Sequence, residues 1–472
     1  MSPRHLADQK MTGCWRSSTP RFIEKASLVV RVRRGASMHA NGRVFVTDGV
    51  IRRALAIARA LGRSGVTVTC GEETALNPTF FSRYCHHRFK YPSPRRNPGE
   101  FVPVLLDYLE KNPHDCLMPA EQDTLDIILQ NRHEFERLTA VPFVDNETYQ
   151  VFRDKGKTLD VAERAGVPYP RTVRPSDPGR VVEETKSLRF PVVVKPRFNW
   201  ASRGIRHVQD ATQLAQAYRE VHQVFPFPLV QEEIPLGEKK YHVNCILDEN
   251  SRPIVANVHR ELRNYPLEYG ISTVQESVWR PDLVELSVQL LQANNWYGIA
   301  SIDYMIDPRD GTPMLMEVNP RFWGTIQLAI HCGLNYPYML YQLARGEKIE
   351  PVKTYPVGVI NRSFLPYDIL HFLVNPHRFQ MEPSFFDFFG PQVHFDLLSR
   401  QDWKPVLGFF MTCLRYMADP EVWTRLAHME RVGRWIARLS GKSVNPVTPN
   451  EAIANIELST ADACSTDRHS IT

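Results

Sequence analysis

The sequence predicts an α/β fold: a small N-terminal domain built on a parallel sheet, followed by a larger α+β region. Three stretches carry this prediction. From Arg43, RVFVT, VIRRALAIARALGRSG and VTVTC read as strand, helix and strand, with Ile51, Leu55, Ala58 and Leu61 at helical spacing. FPVVVK is a short apolar strand ending on Lys195. YGIASIDYMIDPRDGTPMLMEV reads as two strands joined by Pro308-Arg309-Asp310-Gly311.

The basic stretch before Arg43 carries Arg16, Arg21, Lys25, Arg31, Arg33 and Arg34 against only Asp8 and Glu24, and SLVVRVRRG breaks any apolar run with arginine. Residues 1–42 are therefore expected to be a disordered or mis-assigned leader, with Met38 as a plausible initiator, and not a secretory signal. The α/β domain then spans 43–145, adding a helix around FVPVLLDYLEKN, a strand at DCLMPA and a helix from about Thr124 to Arg137. Its first turn carries Asp48-Gly49 and no GxGxxG, so the dinucleotide fingerprint is absent.

A second unit, 146–350, opens on RDKGKTLDVAERAG, where Lys155 precedes an alanine-containing helix closed by Gly166. Lys195 enters a loop ending at Ser202-Arg203-Gly204, a setting in which charge and free backbone donors suit phosphate. Two further strands flank a turn at Asp248 to Arg252, preceded by Glu232, Glu233 and Ile234 and followed by Arg260 and Arg263. Residues 351–440 read as a helical C-terminal extension and 441–472 as a polar, disordered tail.

The stretch MLMEVNPRFWG places Glu317, Asn319 and Arg321 at every second position, on one strand face, while Met316 and Val318 take the other. A three-residue loop of Arg309, Asp310 and Gly311 would set Asp303 opposite Glu317. Two carboxylates roughly 5 Å apart repel by about 3 kcal/mol at an effective dielectric near 20, and a cation between them removes the penalty. Hard oxygen ligands with an amide nearby suit Mg2+, whose remaining ligands are commonly phosphate oxygens.

The chain has 472 residues, a net charge of +5, and 43% hydrophobic and 23% charged residues. That is the composition of an ordinary soluble globular protein; it demands neither nucleic acid nor membrane as partner. The eight cysteines lack CxxC spacing and read as reduced thiols in a cytoplasmic setting; Cys85-His86-His87 lacks a second ligand pair for metal.

In order along the chain, Lys155, Lys195 with SRGI, VQEEIP, Asp303 and the E-x-N-x-R set resemble the ATP-grasp superfamily, over about 43 to 370. The likeness is strongest to predicted ATP-dependent carboligases related to the carbamoyl-phosphate synthase ATP-binding domain, with RxxRNYP-like and EVNPRFWG phrases as the carriers. This resemblance implies an α/β N-terminal pre-grasp domain followed by a two-subdomain α+β ATP-grasp fold. It implies that Lys155 and Lys195, with Ser202 and Gly204, contact ATP phosphates and that the backbone near Glu232, Glu233 and Ile234 holds the adenine edge. Glu238 is the candidate for the ribose. Asp303, Glu317 and Asn319 would bind Mg2+ or Mn2+, Arg321 would sit near the transferred phosphate, and Arg260 and Arg263 would meet an acceptor carboxylate or acyl phosphate. Asn199-Trp200 stand where many members are glycine-rich. The activity implied is a ligase that activates a small-molecule carboxylate as an acyl phosphate for an amine or other nucleophile; a homo-oligomer is compatible with it. The alternatives are a degenerate nucleotide-binding regulator and a kinase or carboxylase on the same fold.

Overall fold

The computed structural model describes residues 42–198, 204–235, 240–267 and 270–417. The expected leader and the 441–472 tail lie outside these residues. Among the described residues the chain forms three sheets.

The first is parallel, in the order β3-β2-β1-β4, from β1 (Arg43–Val46), β2 (Thr67–Glu72), β3 (His87–Lys90) and β4 (Cys116–Met118). Val44, Phe45 and Val46 are all inaccessible, as a central strand covered on both faces requires. The helix Arg52–Arg63 makes the crossover from β1 to β2 and buries Leu55, Ile57, Ala58 and Leu61. The Cys85-His86-His87 stretch leads into β3, a strand too short and polar to be read from periodicity.

The second sheet is antiparallel, in the order β5-β8-β6-β7, from β5 (Thr172–Val173), β6 (Val192–Lys195), β7 (Arg206–Val208) and β8 (Leu229–Glu232). The helix Ala211–Val224 starts where Asp210 accepts a hydrogen bond from the Thr212 amide. Its Leu214, Tyr218 and Val221 pack with Val192, Val194 and Val230 into a core of their own. A lobe with a separate core can move as a unit against its neighbour.

The third sheet contains β9 (Tyr241–Leu247), β10 (Pro253–Tyr265), β11 (Ile271–Val278), β12 (Gly298–Ile306), β13 (Pro313–Asn319), β14 (Ile360–Arg362) and β15 (Val393–Phe395), in the order β13-β12-β9-β10-β11-β14-β15. Its apolar face, with Ile302, Val243 and Val258 in register, lies on the side of the helix Pro281–Gln292, whose Ser287 meets the Tyr304 hydroxyl at 3.2 Å. This core is continuous with that of the first sheet. The expected helical 351–440 extension is only partly so: β14 and β15 close the far edge of this sheet, with the helix Ile369–Val374 between them and the helix Pro405–Met417 after. Strands of three residues paired to distant partners leave almost no local signal.

Asp303 does face Glu317, but for another reason than a three-residue loop. Ile306, Met305 and Tyr304 pair with Pro313, Met314 and Leu315, and a bulge then skips Met316 so that Asp303 meets Glu317. Gly311 has φ +77° in the longer connection, a conformation glycine adopts without strain.

Candidate active site

The site is built where the second sheet faces the β12–β13 edge of the third. Lys195, the last residue of β6, is 5% exposed and donates to Gln231 Oε1 at 2.8 Å and to the Met316 carbonyl at 3.3 Å. That carbonyl belongs to the bulged residue, left without a ladder partner, so the bulge itself supplies the acceptor that joins the two sheets. Lys155 opens the helix Lys155–Ala165, capped by Asp154 through the Gly156 amide, and its Nζ lies 3.2 Å from Glu317 Oε2. Arg197 ties the loop after β6 to this helix: it pairs with Asp154, and its carbonyl accepts from the Lys155 amide at 3.2 Å.

Repulsion between Asp303 and Glu317, expected from their opposition, is relieved within the protein. Glu317 faces Lys155. Asp303 Oδ1 accepts from His242 Nδ1 at 2.7 Å, and His242 Nε2 reaches Glu261 Oε1 at 2.9 Å. The Asn319 amide nitrogen spans the two remaining oxygens, 3.3 Å from Asp303 Oδ2 and 3.4 Å from Glu317 Oε1. Burial opposes the charge of Glu317, yet Lys155, Lys195 and Arg321 hold its pKa at about 2. Burial also works against the His242 cation, but Asp303 and Glu261 raise its pKa to about 10. Asp303 is pushed up by burial against the pull of His242. Lys195 falls to about 8 through burial and the Lys155 charge.

Arg321 lies past the end of β13 and turns back, donating to Asn319 Oδ1 at 3.0 Å and to Gln122 Oε1 at 3.1 Å. Burial and the nearby Arg53 lower its pKa to about 10, while Glu121, paired with Arg53 at 2.5 Å, supports its charge. The first sheet thus reaches the site through the residues that follow β4.

Two carboxylate oxygens converging on one amide nitrogen are a point that a hard cation can occupy instead, so Asp303 and Glu317 fit Mg2+; Asn319 would join them by turning its amide over. Among the described residues no group of three or more His, Cys, Asp and Glu side chains forms a metal site by itself. Any ion here would draw its remaining ligands from substrate and water.

Other expected residues lie apart from this cluster. Glu232 and Glu233 donate their amides to Arg171 and Pro191 carbonyls within the small lobe, and Ile234 is buried. Gly204 has φ +73°, and a Cβ there would come within 2.6 Å of the Phe225 ring, so glycine is needed for packing as well as backbone. Ser202, Glu238, Asn199 and Trp200 lie outside the described residues. Arg260 and Arg263 are not brought to the cluster. His259 lies opposite His242 and Arg260 opposite Tyr241, so alternation sends Arg260 to the other face of the sheet, where it pairs with Glu276 at 2.8 Å. Arg263, beyond a bulge, is 3% exposed and pairs with Asp368 at 3.0 Å.

Comparison with known proteins falls on this same region. Residues 225–362 match the family described as ATP-grasp in the biosynthetic pathway with Ter operon. The C-terminal section of the carbamoyl phosphate synthase large chain of Methanopyrus kandleri is 21% identical over 199 residues, covering 40% of this chain and 36% of that protein. The D-alanine–D-alanine ligase of Laribacter hongkongensis is 26% identical over 178 residues, 35% of this chain and 55% of that protein. These matches are to ATP-grasp proteins, over residues 225–362 for the family model. The chain spans only 36% and 55% of these two relatives' lengths. Biotin carboxylase from Campylobacter jejuni superposes with a TM-score of 0.58 over 67% of this chain and 74% of that one at 16% identity, a likeness in ATP-grasp fold alone.

The family match takes in Asp303, Glu317, Asn319 and Arg321 but neither Lys155 nor Lys195. His242, Glu261 and Gln231 went unread in the sequence. Their roles depend on which strand lies beside which, and strand order is non-local.

Proposed function

We propose that the chain is an ATP-dependent ligase that activates a carboxylate as an acyl phosphate for attack by an amine or another nucleophile. One observation carries this reading: Lys155, at the start of its helix, and Lys195, from the small lobe, meet Glu317 and the bulge carbonyl beside the opposed Asp303. Cations on one side and paired carboxylates on the other suit a polyphosphate with its metal, because phosphoryl transfer depends on positioning and charge neutralisation more than on covalent help.

In this reading the first sheet is a pre-grasp domain and the second and third sheets form the subdomains around ATP. Lys155 and Lys195 bind phosphate oxygens. The backbone near Glu232, Glu233 and Ile234 meets the adenine edge. Asp303, Glu317 and Asn319 hold Mg2+, which when bound neutralises the charge of the transferred phosphate. Arg321, steadied by Gln122, orients the incoming carboxylate against that phosphate. A carboxylate oxygen displaces ADP from the γ-phosphorus; a nucleophile then attacks the acyl carbon, phosphate leaves, and the nucleophile gives up its proton.

A screen of ADP release with carboxylic acids crossed against amino acids and amines, with mass detection of the product, tests the proposal. A condensed product accompanied by one ADP supports it. Tight Mg-ATP binding with no ADP release for any pair would instead favour a nucleotide-binding regulator.

A further inference from the structure

A cavity of about 580 Å³ lies away from the lysine and carboxylate cluster, where the segment leading into the helix Pro405–Met417 packs on the domain of the first sheet. Phe81, Arg83 and Arg88 line it from that domain, and Asp402, Trp403 and Lys404 line it from the other side. Its size is that of a small-molecule site. None of its lining residues belongs to the candidate active site.

The wall between the two segments is fixed from beneath. Asp402, 3% exposed, accepts from Arg59 Nε at 2.8 Å, from the Ser82 hydroxyl at 2.7 Å and from the Arg83 amide at 2.9 Å. Arg59 is equally buried and also donates to the Asp402 carbonyl at 2.8 Å. These two charges answer each other, so the one acid on the cavity wall has its carboxylate fully engaged. Asp396, whose carbonyl Arg59 also bonds, is paired with Arg52 at 2.6 Å.

The cations on the wall are left over. Arg83, Arg88 and Lys404 have no carboxylate partner among the described residues, whereas Arg95 and Arg96, exposed on the same domain, pair with Asp123 and Glu73. Arg63, stacked on Tyr84 at 5.6 Å, adds a further positive charge nearby. Cations gathered on one concave wall repel one another, and an anion between them relieves the repulsion. Two guanidinium forks and an ammonium suit the oxygens of a phosphate. The rest of the wall is aromatic: Phe81 and Trp403, which is 56% exposed, offer flat apolar surface on which a planar ring can stack.

We infer that this cavity is a second ligand site, and that it takes a small phosphate monoester carried on a planar ring, the chemistry shared by a mononucleotide and a simple aryl phosphate. The phosphate meets Arg83, Arg88 and Lys404, and the ring lies against Trp403. Because the cavity shares no residue with the cluster around Glu317, the inference stands or falls apart from the ligase reading above.

Isothermal titration calorimetry of the full chain tests this, in excess Mg-ADP and at fixed ionic strength, with phenyl phosphate, uridine 5′-monophosphate, inorganic phosphate and phenol as probes. Phenyl phosphate or the nucleotide should bind with a Kd below about 1 mM and at least about tenfold tighter than inorganic phosphate, and phenol should not bind. Whichever of the two binds tighter identifies the source of the ligand, and either supports the site. Arg83→Gln combined with Arg88→Gln should weaken that binding at least about tenfold. Trp403→Leu should remove the preference over inorganic phosphate, and Mg-ADP binding should match wild type in both variants. All three side chains are exposed, so the variants should fold; if the double variant does not, Lys404→Gln is read in the same way. No binding of either ring-bearing phosphate, or undiminished affinity in the folded variant, overturns the inference. So does equal affinity for inorganic phosphate, or binding of single-stranded RNA with none of the small probes, which would make the face a polyanion surface.

Discussion

The two ends of the third sheet use the same residue types to opposite ends. At the β14 end Arg263 and Arg362 share Asp368, all three at most 3% exposed, and Arg362 also donates to the Phe385 and Asp387 carbonyls. At the β13 end Glu317, about a third exposed, faces Lys155, whose helix shares the core of the third sheet, while Lys195 comes from the separately cored small lobe. The first set is closed: one buried acid lies between two buried arginines, with no side open to solvent. The second is open on one side, and one of its cations, Lys195, comes from a different lobe than its carboxylates, so a ligand can enter and exchange partners. Access, not composition, separates a structural ion cluster from a binding one.

The comparison is broken most severely by Asp368→Ala. Two buried arginines would lose their counter-charge, and stability should fall by about 3–5 kcal/mol in denaturant titration, with nucleotide affinity preserved in whatever remains folded. A loss under 1 kcal/mol would show that the β14 end is not the closed cluster described.

Glu317→Gln is the counterpart at the open end. ADP release with a working substrate pair should drop at least a hundredfold, by analogy with the loss of one preorganised electrostatic partner. The apo protein should melt slightly lower, by less than about 1 kcal/mol, because Lys155 and Lys195 lose a charge that solvent already partly screens. A higher apo melting temperature would restore the simple repulsion expected from the two carboxylates.

Lys195→Ala should weaken Mg-ATP binding by roughly ten- to a hundredfold in equilibrium titration, the cost of one charged hydrogen bond. Since burial and Lys155 lower the Lys195 pKa to about 8, the wild-type affinity should also decline as pH rises through 8 while the ammonium deprotonates. The sign for stability is the reverse: the folded protein holds this proton less tightly than the ordinary 10.5, so folding gains as pH rises from about 8 towards 10.5. An affinity flat from pH 7 to 9 would remove Lys195 from phosphate contact.

Arg260→Gln should do least. Partly exposed and paired with Glu276 on the far face, it should change stability by under about 0.5 kcal/mol and leave turnover unaltered. A collapse of turnover would mean that the acceptor is reached from the side of the sheet assigned here to packing.

The parallel sheet, the crossover helix Arg52–Arg63 and the strands ending at Lys195 and Asn319 were legible because each is a local pattern of apolar spacing and turn residues. So was the polar pair Glu317 and Asn319, whose alternation declares a shared face whatever lies next to it. What lies next to it was decided only by tertiary structure. A bulge at Met316, and not loop length, sets Asp303 against Glu317 and offers Lys195 a carbonyl. Strand order puts His242 and Glu261 behind Asp303, turns Arg260 away and commits Arg263 to Asp368. One-residue changes of register move a side chain from one face to the other, and the contacts that select the register join residues far apart in the chain, so neighbours in sequence cannot reveal them.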